Sequence, residues 1–414
     1  MALYGATIGK LGILTFPAAT NQACANVIPL ADLIDPKYLF FYLRSERETL
    51  IEKGQGGAQP NISQEIVRAH PILLAPLAEQ RRIVAKLEAL LGKVDACKQR
   101  LAKIPVLLKR FRQSVLAAAC LGRLTSDWRG GNAPKATGII EDVRRVREKL
   151  VVEKRAKKLS SITPISDDEL PLGNLADWPV IRLDEVCSLI TDGKHGDCRD
   201  EDDSGFYFLS AKDLKGWKLN YEGARQIVEA DFREVHQRTN LEASDVLISN
   251  SGTIGRVAIA QEGEKTRRTT FQKSVAILKP IKSHLDPRFL AFYLAAAIRH
   301  IEESSQGTAQ KNLLLRDLRN LVLFLPPLAE QQEIVRRVEA LFALADQIEA
   351  RFHAAQTQID KLTPSLLAKA FRGELVPQDP SDEPASVLLE RIREQRNNQP
   401  AKQQPRKGAS RRRR

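Results

Sequence analysis

The sequence predicts an α+β protein: a duplicated module plus two long heptad helices, related by an approximate internal two-fold. Three observations predict it. The stretch "PLAEQRRIVAKLEALL" at 76–91 returns as "PLAEQQEIVRRVEALF" at 327–342, identical at ten of sixteen positions, 251 residues later. Three more pairs keep that offset: "DPKYLFFYL" (35–43) with "DPRFLAFYL" (286–294), "AQPNI" (58–62) with "AQKNL" (309–313), and "SVLAAACLGRL" (114–124) with "SLLAKAFRGEL" (365–375). Between the copies, short apolar runs bounded by turn residues replace the helical pattern. Two copies at so long a period are a duplicated module rather than a solenoid.

The elements follow in chain order. Residues 1–75 read as an incomplete first copy. Its "ATIGKLGI" (6–13) echoes "GTIGRVAI" (252–259), but the 69 residues from Trp178 to Val246 have almost no counterpart before it. The expectation is a truncation inside the first module, with strand edges left exposed. Residues 76–128 form the first long helix. Ile83, Leu87, Leu90, Val94, Cys97, Leu101, Ile104 and Leu108 recur at alternating steps of four and three, a heptad seam. In residues 326–376 the second seam runs Ile334, Val338, Leu341, Ala345, Ile348, Phe352, Ala355 and Ile359. At 1.5 Å per residue each helix reaches about 50 Å. Matched lengths favour the two packing on each other. Pro105 and Pro364 should kink them, and Gly122 and Gly373 should end them at equivalent places.

Residues 129–177 read as a connecting helix and linker. Residues 178–325 form the second, complete module, with strands expected at "YFLS" (207–210), "DVLIS" (245–249), "RVAIA" (256–260) and "SVAILKP" (274–280), and an amphipathic helix at 285–303. A C-terminal segment, 377–398, precedes a basic tail, 399–414, too poor in apolar residues to fold.

Composition excludes several classes. No apolar run approaches the roughly 20 residues of a membrane span, so no membrane partner is expected. The five cysteines (Cys24, Cys97, Cys120, Cys187, Cys198) form no CxxC pair, consistent with a reduced cytoplasmic protein. "GATIGK" (5–10) is one residue short of a phosphate loop, and Leu11 offers no hydroxyl for a metal. No HExxH and no adenine-methylation motif is present. The net charge of +13 falls to +6 (57 basic, 51 acidic) without the last fifteen residues, so charge alone does not establish a nucleic-acid partner.

The motifs carry more. "DWPVIRLDEVCSLITDGKH" (177–195), "DVLISNSGTIGRVAIA" (245–260), "DPRFLAFYL", "GTAQKNL" (307–313), "FLPPLAEQQEIV" (324–335) and "SLLAKAFRGELVPQDPSDEPASVLLERI" (365–392) follow one another in an order that resembles the specificity (S) subunits of type I restriction–modification systems. The resemblance covers nearly the whole chain. It implies two target-recognition domains held on an antiparallel coiled-coil pair, each reading half of a bipartite site in double-stranded DNA. It also implies modification (methyltransferase) and restriction (endonuclease) subunits as partners. S-adenosylmethionine, ATP and Mg²⁺ would belong to those partners, leaving this chain non-catalytic and without a cofactor. A coiled-coil adaptor, or a defective truncated specificity subunit, is the alternative.

Candidate DNA contacts are polar residues at strand ends of the second module: Thr191, Lys194, His195, Asn250, Thr253, Arg256, Gln272, Lys273, Gln310, Lys311 and Asn312. Arg and Lys suit guanine O6 and N7 or phosphate, and Asn and Gln suit adenine. In "SGTIGR" the glycines favour a structural turn. No residue pattern points to a catalytic or metal site.

Overall fold

The computed structural model describes residues 1–30, 32–54, 61–132, 138–159, 164–166, 169, 178–304 and 313–398. The chain divides into two compact units, Met1–Ile104 with Ala350–Arg414, and Pro105–Glu349. Helices of ten or more residues are α1 (Pro36–Ser45), α2 (Leu77–Leu101), α3 (Ile104–Cys120), α4 (Ile139–Val152), α5 (Glu229–Thr239), α6 (Pro287–Ser304), α7 (Leu328–Phe371) and α8 (Ala385–Asn398).

The unit Pro105–Glu349 holds the strands. They are β1 (Val180–Arg182), β2 (Cys187–Asp192), β3 (Tyr207–Leu209), β4 (Leu214–Lys215), β5 (Lys218–Leu219), β6 (Val246–Ser249), β7 (Val257–Ile259), β8 (Thr269–Phe271), β9 (Val275–Pro280) and β10 (Val322–Phe324). The main sheet runs β2-β9-β6-β7, antiparallel throughout. Beside it β1 pairs antiparallel with β10, β3 parallel with β8, and β4 antiparallel with β5. The four strands expected from the sequence are β3, β6, β7 and β9, and the expected amphipathic helix is α6. Strand β6 is apolar at successive positions because both faces are covered. Val246 and Ile248 enter the core shared with α3, α6 and α7, whereas Leu247 enters a second core with Leu214, Leu219 and Ile277.

The long helices pair antiparallel. In this unit Arg112 on α3 reaches Asp346 and Glu349 on α7 at 2.6 and 2.7 Å, while Val115, Leu116 and Ala119 pack with Ile334, Val335 and Val338. Within the unit Met1–Ile104 with Ala350–Arg414, Lys98 on α2 meets Asp360 on α7 at 3.0 Å, and Ile83, Val84, Leu87 and Leu91 pack with Leu367 and Ala370. Exposed pairs of this kind contribute about 0–1 kcal/mol, so the apolar contacts hold the helices and the ion pairs mark their register.

The seam is uneven. Ile83, Leu87, Val94, Leu108, Ile334 and Val338 are buried. Leu90, Leu101, Leu341, Phe352 and Ile359 are half-buried. Ile348, expected inside, is 39 % exposed: two helices alone leave part of each seam open where no third element covers it. Gly122 and Gly373 adopt left-handed φ of 65° and 77° and end their helices as expected. The break before α3 falls beside Pro105. Pro364 behaves differently, because α7 continues through it.

The duplication is repeated bond by bond. Gln331 accepts from Asp286 N and donates to His284 O and Pro326 O. Gln80 accepts from Asp35 N and donates to Leu33 O and Ala75 O. Tyr293 Oη donates to Val322 O, and Tyr42 Oη to Pro71 O. Each glutamine thus ties the start of its long helix to the module before it, and each tyrosine ties the preceding helix to the segment that leads into it.

Candidate nucleic-acid interface

Four loops of the unit Pro105–Glu349 converge at one end of the main sheet. Gly193 N donates to Val275 O, Lys194 N to Phe271 O, and Lys273 N to Lys194 O, which lace the loop after β2 to the β8–β9 turn. Asn250 N donates to Ser274 O, bringing in the loop after β6. Arg256 Nη1 and Ser274 Oγ both bond the backbone of Ala211, adding the segment after β3. Leu313 N donates to Asn250 O, which places Leu313 beside the loop after β6.

Backbone geometry explains the glycines here. A Cβ on Gly193 would lie 1.9 Å from Phe271 O, far inside contact distance, so the loop can cross β8 only with hydrogen at this position. Gly252 and Gly255 hold φ of 74° and 80°, as the turn reading of "SGTIGR" expects. Inside that turn Ser249 Oγ donates to Thr253 O and accepts from Arg256 N.

Not every candidate residue faces solvent. Thr191, 7 % exposed, lies within β2 opposite Ile277. Asn250 is equally covered, with its Oδ1 buried and unpartnered among the described residues. Both are corrections to the expected solvent-facing set: their side chains point into the fold. Lys194 is held by Glu234 at 3.1 Å, a hydrogen bond that raises its pKa and fixes the charge. His195 is largely exposed and sits 2.9 Å from Asp192. Thr253, Arg256, Gln272 and Lys273 are exposed. The rim therefore presents two fixed cations, Arg256 and Lys273, together with His195, Thr253 and Gln272. Gln310, Lys311 and Asn312 lie outside the described residues.

Sequence reasoning missed the residues that position this rim. Arg238 on α5 donates to the carbonyls of Asp192 and Gly193. On the same helix Glu234 pairs with Lys194, and Asp231 holds the backbone and side chain of Arg199. The hydrogen bonds from Arg199 pull the Asp231 pKa down to about 2. Arg238 lies 45 residues from Gly193, and no local pattern links them. Among the described residues no group of three His, Cys, Asp or Glu side chains is placed to hold a metal ion.

Comparison with known proteins bears on this arrangement. The family described as "Type I restriction modification DNA specificity domain" matches residues 2–106 and 176–354. The specificity subunit of the type I restriction enzyme EcoBI of Escherichia coli is 30 % identical over 393 residues, covering 92 % of this chain and 76 % of that protein. The EcoDI subunit of the same species is 30 % identical over 401 residues, covering 94 % and 83 %. The StySPI subunit of Salmonella potsdam is 30 % identical over 398 residues, covering 92 % and 76 %. A solved structure from work on complex assembly and conformational transition of the type I R-M system aligns with a TM-score of 0.52 at 21 % identity, covering 83 % of this chain and 72 % of that one, a likeness of fold.

Proposed function

We infer that this chain, which belongs to the family of type I restriction–modification specificity subunits, is the DNA sequence-recognition subunit of such a complex and carries no active site of its own. The observation that carries the reading is the family match to both copies of the duplicated module. Each copy reads part of a bipartite target in double-stranded DNA. The paired long helices dock the modification subunits, and restriction subunits join the same assembly. Methyl transfer and cleavage then belong to those partners, as do S-adenosylmethionine, ATP and Mg²⁺. The place of action is the cytoplasm, where chromosomal DNA is modified. No described helix is long and apolar enough to cross a membrane.

The exposed rim is the natural contact surface of the second module. Arg256 suits guanine O6 and N7, and Gln272 suits adenine N6 and N7. Lys273 and His195 suit phosphate, which positions the reader without specifying sequence. Gel-shift titration with modification subunits present, at rising salt, tests the assignment. Lys273→Ala should weaken binding to all duplexes alike and lower the salt slope by about one. Arg256→Ala should cost about 1–3 kcal/mol on the cognate duplex and relax preference at one base pair. Unchanged affinity and salt dependence in both variants would remove the rim from the interface.

A further inference from the structure

In the unit Pro105–Glu349, the connecting helix α4 leaves a cationic cleft against the main sheet. Val143 seats α4 in the core, and Arg144 pairs with Glu185 at 2.9 Å. The helix ends at Val152, Lys154 takes a left-handed φ of 57°, and residues 154–159 then share cavity walls with β2, the edge strand of the sheet. Two cavities of about 760 and 300 Å³ lie there, and Lys157, Ser188, Leu189, Ile190 and Arg319 wall both.

The lining carries an excess of positive charge. Among the described residues seven Lys or Arg line the larger cavity and three more the smaller, against the carboxylates of Glu242, Asp245 and Asp184. Those carboxylates relieve little of it, because Asp245 and Glu242 are both drawn to Lys279, at 2.6 and 3.5 Å. The ammonium groups of Lys154, Lys157 and Lys158 have no partner among the described residues. Lys282 donates only to Ala243 O there, and Arg319 only to Ile190 O. A second, independent feature is Arg147, which is 5 % exposed and lines the smaller cavity. Its guanidinium donates to two carbonyls, of Cys187 and Lys157, and its Nε–H has no partner. Burial lowers the Arg147 pKa. Asp184 and Glu185 oppose this from nearby, but neither accepts a hydrogen bond from it. A guanidinium buried to this degree is ordinarily bonded to an anion.

We propose that this cleft binds a small polyanion carrying two or more phosphate groups, with Arg147 and Lys158 at one end, Lys154 and Lys282 at the other, and Lys157 and Arg319 between. Size, charge and lining select the class. Small-ligand sites occupy about 300–1,000 Å³, and the larger cavity falls inside that range. A phosphate group brings about −1.5 to −2 of charge at pH 7, so a few such groups match these six cations, and Arg forks and Lys ammonium groups both suit its oxygens. No aromatic side chain lines either cavity among the described residues, so the phosphates rather than a stacked base carry recognition. His195, Arg256, Gln272 and Lys273 do not line the cleft, and the proposal does not depend on the DNA-reading assignment.

Inorganic triphosphate is the probe, titrated calorimetrically into the full chain at about 0.15 M salt to screen diffuse attraction. One saturable site is expected, with hydrogen exchange slowed across 154–159. Lys157→Ala and Lys158→Ala, both at exposed positions, should each weaken binding about tenfold. Arg147→Lys, checked for folding by circular dichroism, keeps the charge but loses the fork and should weaken it as well. Replacing Arg411, Arg412, Arg413 and Arg414 by Ser should leave this site unchanged. Loss that follows the tail replacement instead, or no protection at 154–159, overturns the proposal. So does sulfate binding as tightly as triphosphate, since the cleft would then hold a single anion. A DNA duplex that protects 154–159 when triphosphate does not bind overturns it too, because the DNA backbone would then be the occupant.

Discussion

Gly193 shows how much one residue decides. Its missing Cβ lets the loop after β2 pass over β8, and Arg238 then clamps the carbonyls of Asp192 and Gly193. Gly193→Ala forces either the loop or Phe271 to move, an overpacking that no flexible side chain can relieve. The expected cost is about 2–4 kcal/mol, read by urea denaturation, with the rim residues displaced as well. Gly252→Ala meets no atom within 4 Å and is strained only by its positive φ, so its cost should be smaller, about 1 kcal/mol. Equal stability of the two variants would mean that the close approach at Gly193 is not a real constraint. In sequence the two glycines look alike, as turn residues beside polar ones. What separates them is a backbone 78 positions further along the chain, at Phe271.

At the scale of elements, the heptad pattern marks the paired helices but not how firmly each position is held. Ile334 and Val338 pack against α3, with α6 closing the same core, and both are fully buried. Ile348, about three turns beyond Val338, has no such third element and is 39 % exposed. Val338→Asp should therefore cost about 4 kcal/mol or more, since a buried charge has no partner there. Ile348→Asp should stay within about 0.5 kcal/mol. Thermal and urea unfolding of the two variants, with co-purification of modification subunits, measures the contrast. A similar loss in both would show that the seam is uniformly closed. Phe352, half-buried, should fall between them.

For the whole molecule, the central fact is a module used twice, with its hydrogen bonds repeated at Gln80 and Gln331 and at Tyr42 and Tyr293. The division of the chain into units runs through both long-helix segments, so each unit takes part of α7. Readers carried on a shared scaffold should be exchangeable. Replacing 178–325 with the equivalent segment of a relative should change one half of the target and leave the other intact, because base-edge contacts specify sequence and the helices only position them. Methylome sequencing of cells carrying the chimera with its modification subunits measures this. A change in both halves would show that the two modules do not read independently.

The sequence by itself determined the duplication, the long helices, their glycine stops, four strands of the complete module and the family, because repeats, heptads and motif order are written in local residue identity. The reason for the unbroken apolar run of β6 came only from the structure, where both its faces are covered. Tertiary structure alone decided which candidate contacts reach solvent. Thr191 and Asn250 look like surface polar residues in sequence, yet the sheet and the β8–β9 turn cover them. It alone placed Glu234 on Lys194 and Arg238 on Gly193, since those partners lie 40 and 45 residues away. And it alone set the contrast between Glu330, satisfied by three donors, and Glu79, its repeat, with none among the described residues. The two glutamates stand in the same five-residue motif, "PLAEQ". Their environments differ because burial and hydrogen bonding depend on what the rest of the chain brings against a residue, not on the residues beside it.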